Sequence, residues 1–168
     1  MNLIKLTMLF WVICCSQLQR HPNQDKVDAT KLFTRADAER IMGSATHATD
    51  SVIKQEANSS SYLCGFKTNK ADPQSGKIGA TYFLFEDYKN IDGAAARYKD
   101  VYVSNKNNGI KPVEHLGDEA FYHTDNENFD LMMVRKAHYV FNIKVNKRTS
   151  TTSLNELKKT VKRITDKI

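Results

Sequence analysis

Residues 77–86 read Lys-Ile-Gly-Ala-Thr-Tyr-Phe-Leu-Phe-Glu, and this stretch decides the fold. In an extended chain, Ile78, Tyr82 and Leu84 fall on one side and Phe83 and Phe85 on the other. Apolar residues on both sides predict a central strand covered, at least in part, on each face.

Working outward, residues 69–76 (NKADPQSG) have turn composition, and residues 62–67 before them alternate as a second strand. Residues 44–61 are rich in Ser, Thr and Ala and leave a strand at 51–56 open. Thr34 is placed to cap a helix over 35–42, with Asp37 in its first turn and Gly43 as its stop. On the other side the period changes. Ile91, Ala95, Tyr98 and Tyr102 recur at helical spacing, with Val101 beside them, which predicts an amphipathic helix over 91–104. Strands are expected at 119–123, 129–134 and 139–145, the last two joined as a hairpin through 135–138. Leu154, Leu157, Val161, Ile164 and Ile168 step by three and four, so the chain ends in a helix with one buried stripe. Ser153 is its cap and Glu156 lies in its first turn. The expectation is one α+β domain over 31–168, an antiparallel sheet of about five strands flanked by three helices.

The chain has 168 residues, room for one domain, and 40% apolar with 26% charged residues makes a packed core feasible. The formal charge of +6 is dispersed among 19 acidic residues. A nucleic-acid partner usually requires a concentrated basic stripe, so none is expected. Loose attraction to an anionic membrane surface fits the same numbers.

Residues 1–15 read as an export signal. Lys5 supplies the positive end and Leu6 to Ile13 the apolar run, which is far shorter than a bilayer-spanning helix. Val12-Ile13-Cys14-Cys15 resembles the signal of bacterial lipoproteins, with Cys15 as lipid acceptor and Cys14 in the place of the usual small residue; Cys14 is the alternative acceptor. Ordinary cleavage with secretion, and a buried N-terminal helix, are the other readings. Residues 16–30 are mostly polar, contain Pro22 and show no period, which suits a tether. With Cys14 and Cys15 spent there, Cys64 stands alone among the three cysteines and forms no internal disulfide.

Two passages carry a family resemblance. Residues 28–43 (DATKLFTRADAERIMG) and 113–122 (VEHLGDEAFY) resemble the exported lipoprotein domains of unknown function found in actinobacteria, which are similar to the extracellular sensor domains of mycobacterial kinases. The resemblance implies a helix-flanked antiparallel sheet and an exported binding or sensing role. It also places Cys64 where those domains often carry a half-cystine. The partner expected near Ala29 or Thr30 is absent, so the disulfide does not carry over.

Candidate chemistry is thin. Cys64 with one of His21, His47, His115, His123 or His138 would make a thiol nucleophile and base, but Leu63 and Phe66 beside it suggest an inert core cysteine. His115 and His123 lack the second tight pair that zinc requires. Asp125, Glu127 and Asp130 lack the glycine and closing glutamate of a calcium loop and read as a solvated loop. Gly117 and Asp118 read as a turn into the following strand. Lys158, Lys159, Lys162, Arg163 and Lys167 give the last helix a basic face. It complements the negative helix end or, alternatively, meets anionic headgroups or an acidic partner. No catalytic, metal or cofactor residue is therefore assigned. The expected function is a lipid-anchored, non-enzymatic binding or sensing domain of the cell envelope, facing an unidentified protein or small molecule. An exported hydrolase-like enzyme with a non-local site, and a structural partner in an envelope complex, are the alternatives.

Overall fold

The computed structural model describes residues 27–168. The expected export signal, with Cys14 and Cys15, and the tether as far as residue 26 lie outside the described residues. Ala29–Lys31 form a short 3-10 turn whose start is capped by Asp28. At Thr34 a reciprocal box forms: its hydroxyl accepts the Asp37 amide, and Asp37 Oδ2 accepts the Thr34 amide at 2.8 Å. Helix α1 (Arg35–Met42) therefore starts where the sequence places it, and Gly43, left-handed at φ 65°, ends it.

Two short strands follow, β1 (Thr46–Ala48) and β2 (Val52–Gln55), both antiparallel to β3 (Ser59–Thr68). β3 pairs with β4 (Ala80–Tyr88). Asn90 accepts the Gly93 amide at 2.7 Å and opens α2 (Ile91–Asn105). The chain then makes β5 (Lys111–Pro112), β6 (Glu119–Thr124), β7 (Phe129–Lys136) and β8 (Tyr139–Asn146). Ser153 caps α3 (Leu154–Lys167) by accepting the Glu156 amide at 3.2 Å. The strand order is β1-β3-β4-β8-β7-β6-β5, with β2 also on the edge of β3.

The α+β class, the three helices and the antiparallel sheet agree with the sequence reading, but the sheet has eight strands rather than about five. The additional strands are β1, β2 and β5, short edge pieces that exist because a longer neighbour offers free backbone groups. Pro112 can join β5 because an edge position does not require its missing amide.

Side chains sort by strand parity. Phe83 and Phe85 of β4, Phe141 and Ile143 of β8, and Met132 and Val134 of β7 face α1 and α3, where Ile41, Leu157, Val161 and Ile164 complete the main core. The opposite face holds Phe121, Met133 and Val140 under Ala94 and Tyr98 of α2. Each fully buried large side chain contributes about 1.5–3 kcal/mol. β4 is central, as its two-sided pattern requires, but α2 covers the second face only in part, and Leu63 remains 38% exposed there.

A buried carboxylate ties the two helices together. Asp37, 3% exposed, accepts from Arg40 within α1 and from Arg163 Nη2 of α3 at 2.9 Å, and Arg163 also reaches the Leu32 carbonyl. Replacing Asp37 by Ala removes the carboxylate that Arg40 and Arg163 share, both of which stay partly exposed to water, and opens the box at Thr34. We expect it to lower unfolding free energy by about 1–2 kcal/mol in urea titrations. Arg35→Ala, which breaks only the exposed Arg35–Glu39 pair, should cost no more than about 0.5 kcal/mol. Equal effects of the two substitutions would contradict the assignment.

Candidate functional site

The loop between β5 and β6 is held at both ends. Val113 donates its amide to the Ala120 carbonyl at 3.0 Å, and the Asp118 amide donates to the Arg135 carbonyl at 2.9 Å. Asp118 Oδ2 accepts the Ala137 amide and Arg135 Nη1, each at 2.8 Å, while Arg135 Nε reaches Glu119 Oε2 at 2.6 Å. Gly117 has φ 67°, and a Cβ there would stand 2.6 Å from the Arg135 carbonyl oxygen, so the close approach admits only glycine. The turn expected at Gly117-Asp118 is present, and its carboxylate also locks the β7–β8 hairpin. His115, at φ 58°, is held in the left-handed region between these anchors.

Pinned in this way, the loop stands away from α3 and leaves a groove of about 410 Å³. Its floor is Val113, Leu116, Tyr122 and Met132, of which Leu116 and Met132 are 8% and 2% exposed. Its rim carries Lys111 from β5 and Lys158 and Lys162 from α3; Glu114 is the one carboxylate of the lining. Positions 158 and 162 are successive turns of one helix face, about 6 Å apart. Lys162 pairs with Asp166 at 2.8 Å, whereas Lys111 and Lys158 make no ion pair among the described residues. A cleft of about 290 Å³ between Lys67 and Lys147 brings two lysines together over Ile78, Ala80 and Tyr82, but without a third. Three further clefts range from about 300 to 430 Å³. One lies beside residues 27–30, one among the loops around Asn69 and Thr149, and one on the other side of the 113–118 loop. None of these gathers more than one lysine, and the last is lined by Glu114, Asp118 and Glu119 instead.

Tyr122 forms part of the groove floor while its hydroxyl donates to Asp130. Asp130 is fully buried and pairs with Arg148 Nε at 3.0 Å. Burial, followed by the bond to this carboxylate, pushes the Tyr122 phenol up to about 12. This corrects the expectation of a solvated acidic loop at Asp125, Glu127 and Asp130 for Asp130 alone, since Asp125 and Glu127 are exposed. Asp125 is exposed and accepts the amides of Glu127, Asn128 and Phe129 at 3.0, 2.7 and 3.0 Å, which hold its carboxyl well below the usual range. Asp130, five residues on, is buried and holds Tyr122 and Arg148 in place.

The histidines do not converge on Cys64. His47 Nδ1 meets Asn69 Oδ1 at 2.9 Å on β1, His115 lies in the pinned loop, His123 abuts the Phe129 ring, and His138 Nε2 stands 3.5 Å from Asp87. His21 lies outside the described residues. Cys64 is 4% exposed in the main core and has no disulfide. Burial raises its thiol above the ordinary value, only partly countered by Tyr62. Among the described residues no group of three or more His, Cys, Asp or Glu is placed to hold a metal ion.

The sequence reading missed the groove. Lys111, Val113 and Leu116 lie more than forty residues before Lys158 and Lys162, and only the sheet order brings them together. The basic face of α3 was its one legible half.

The chain matches no protein family, and neither a curated protein nor a solved structure was found to be similar to it.

The state of Cys64 gives a direct check. In the folded protein at neutral pH, iodoacetamide should leave Cys64 unmodified by peptide mass mapping, and denaturant should make it react fully. Rapid native labelling would contradict its burial.

Proposed function

We propose that this chain is an exported, lipid-anchored binding domain of the cell envelope, held through Cys15 and offering the groove beside α3 to its ligand. The groove carries the reading: a recessed apolar floor with a few well-placed charged groups is the usual form of a binding site. Its construction adds support, because the loop that shapes it is fixed by Asp118, Arg135 and Gly117 as well as by Leu116 in the core.

The side chains with the greatest chemical potential are engaged in holding the fold. Asp130 balances Arg148, Asp37 balances Arg163, and Cys64 fills core space with its thiol pushed up. This favours binding over catalysis. The short apolar run ending at Cys14-Cys15 supports the anchor, and the resemblance to exported lipoprotein domains points in the same direction. Each methylene of an acyl chain contributes about 0.8 kcal/mol in a bilayer, so several chains on one residue would retain the protein.

Substituting Cys15 by Ser should move the chain from the membrane fraction to the soluble fraction and abolish incorporation of labelled fatty acid. Release by Cys14→Ser alone would shift the acceptor to Cys14. If both variants keep the wild-type label and distribution, the anchor is refuted.

A further inference from the structure

The rim and floor of the groove differ in chemistry. Lys111 approaches from the sheet edge, and Lys158 and Lys162 approach from α3, all at the mouth; Leu116 and Met132 lie almost fully covered beneath them. A ligand that satisfies both must place negative charge at the mouth and apolar atoms on the floor. A small inorganic anion would leave the floor empty. A bilayer would present its charge to the lysines, but its chains would have to leave the membrane to reach a recessed floor. A volume of about 410 Å³ lies within the range of small-molecule sites and is small for a folded partner.

We infer that the groove between the 113–118 loop and α3 binds a single-chain amphiphile with an anionic head, a fatty-acid carboxylate being the simplest example. The inference rests on the binding reading above but not on the anchor. The head sits between Lys111, Lys158 and Lys162, and the chain runs over Val113, Leu116 and Met132. Glu114 lines the same groove and disfavours a dianionic head over a monoanionic one.

The test uses the full chain, in zwitterionic nanodiscs if the membrane retains it and in buffer if not, with isotope-labelled methionine methyls read by NMR. Octanoate, decanoate and dodecanoate below their micellar concentrations should shift the Met132 methyl resonance. Affinity should rise by about twofold to fourfold per added methylene, fourfold corresponding to complete burial of each one. Decanol should bind about tenfold more weakly than decanoate, since it lacks the charge that the lysines meet. Lys158→Glu with Lys162→Glu should weaken decanoate by about tenfold or more, and the milder Lys158→Gln by a few-fold. Lys159→Glu with Lys167→Glu, an equal change of charge on α3 at positions not lining the groove, should alter binding by less than about threefold.

Four results would overturn the inference. They are decanol binding as tightly as decanoate, the two double variants acting alike, affinity independent of chain length, and a Met132 response to phosphatidylglycerol vesicles alone. Silence of Met132 towards every amphiphile would likewise overturn it, while leaving the membrane fractionation result untouched.

Discussion

The pairing of β4 with β8 is the constraint on which the rest of the molecule depends. Ala80 to Asp87 run antiparallel to Asn146 to Tyr139, with Phe83 opposite Ile143 and Phe85 opposite Phe141. These four side chains are at most 2% exposed and form the floor on which α1 and α3 lie. Fifty residues separate the two strands, so the ladder closes a long loop whose entropy must be recovered in burial. Phe83 stacks on Phe33 and meets Phe85 and Phe141 at a tilt, at ring-centroid distances of 5.4–6.4 Å, and such aromatic contacts add to burial as the source of that recovery.

Once β8 lies beside β4, the β7–β8 hairpin and then β6 must extend the sheet away from β3. The hairpin brings Arg135 to the 113–118 loop, and α3 returns over β7 to face that loop. The groove thus forms between an edge loop, pinned by Asp118 and Arg135, and a helix held to α1 by Asp37 and Arg163. The lysines on its rim are exposed and need no change in the core to meet a ligand, whereas Leu116 and Met132 belong to the main core. A ligand seated on that floor would stabilise the folded state, as any ligand selective for it must.

The sequence displayed the elements whose signals are local. Thr34 with Asp37, Gly43, and Ser153 with Glu156 mark helix ends through bonds over three or four residues, and each is found where its spacing places it. Period two exposed β8 through Tyr139, Phe141, Ile143 and Val145, and β4 through Phe83 and Phe85. What remained hidden depends on partners. Thr46–Ala48 has no apolar alternation and becomes a strand because Phe66, Lys67 and Thr68 present an edge; Lys111–Pro112 does the same beside Phe121 and Tyr122. Asp130 read as one of three loop carboxylates because the phenol of Tyr122 and the guanidinium of Arg148 reach it from other strands and turns. The groove was hidden for the same reason, since no short window contains both its loop and its helix.

The most direct test of this architecture is amide hydrogen exchange resolved along the chain. The account predicts that amides of β4 and β8 which bond to each other exchange slowest, near the rate set by global unfolding, with β3 and β7 close behind. Amides of β1, β2, β5 and the 113–118 loop should exchange well before them. Exchange in β4 and β8 as fast as in those edge strands, or slowest exchange in α2 instead, would contradict the claim that this central pair holds the molecule together.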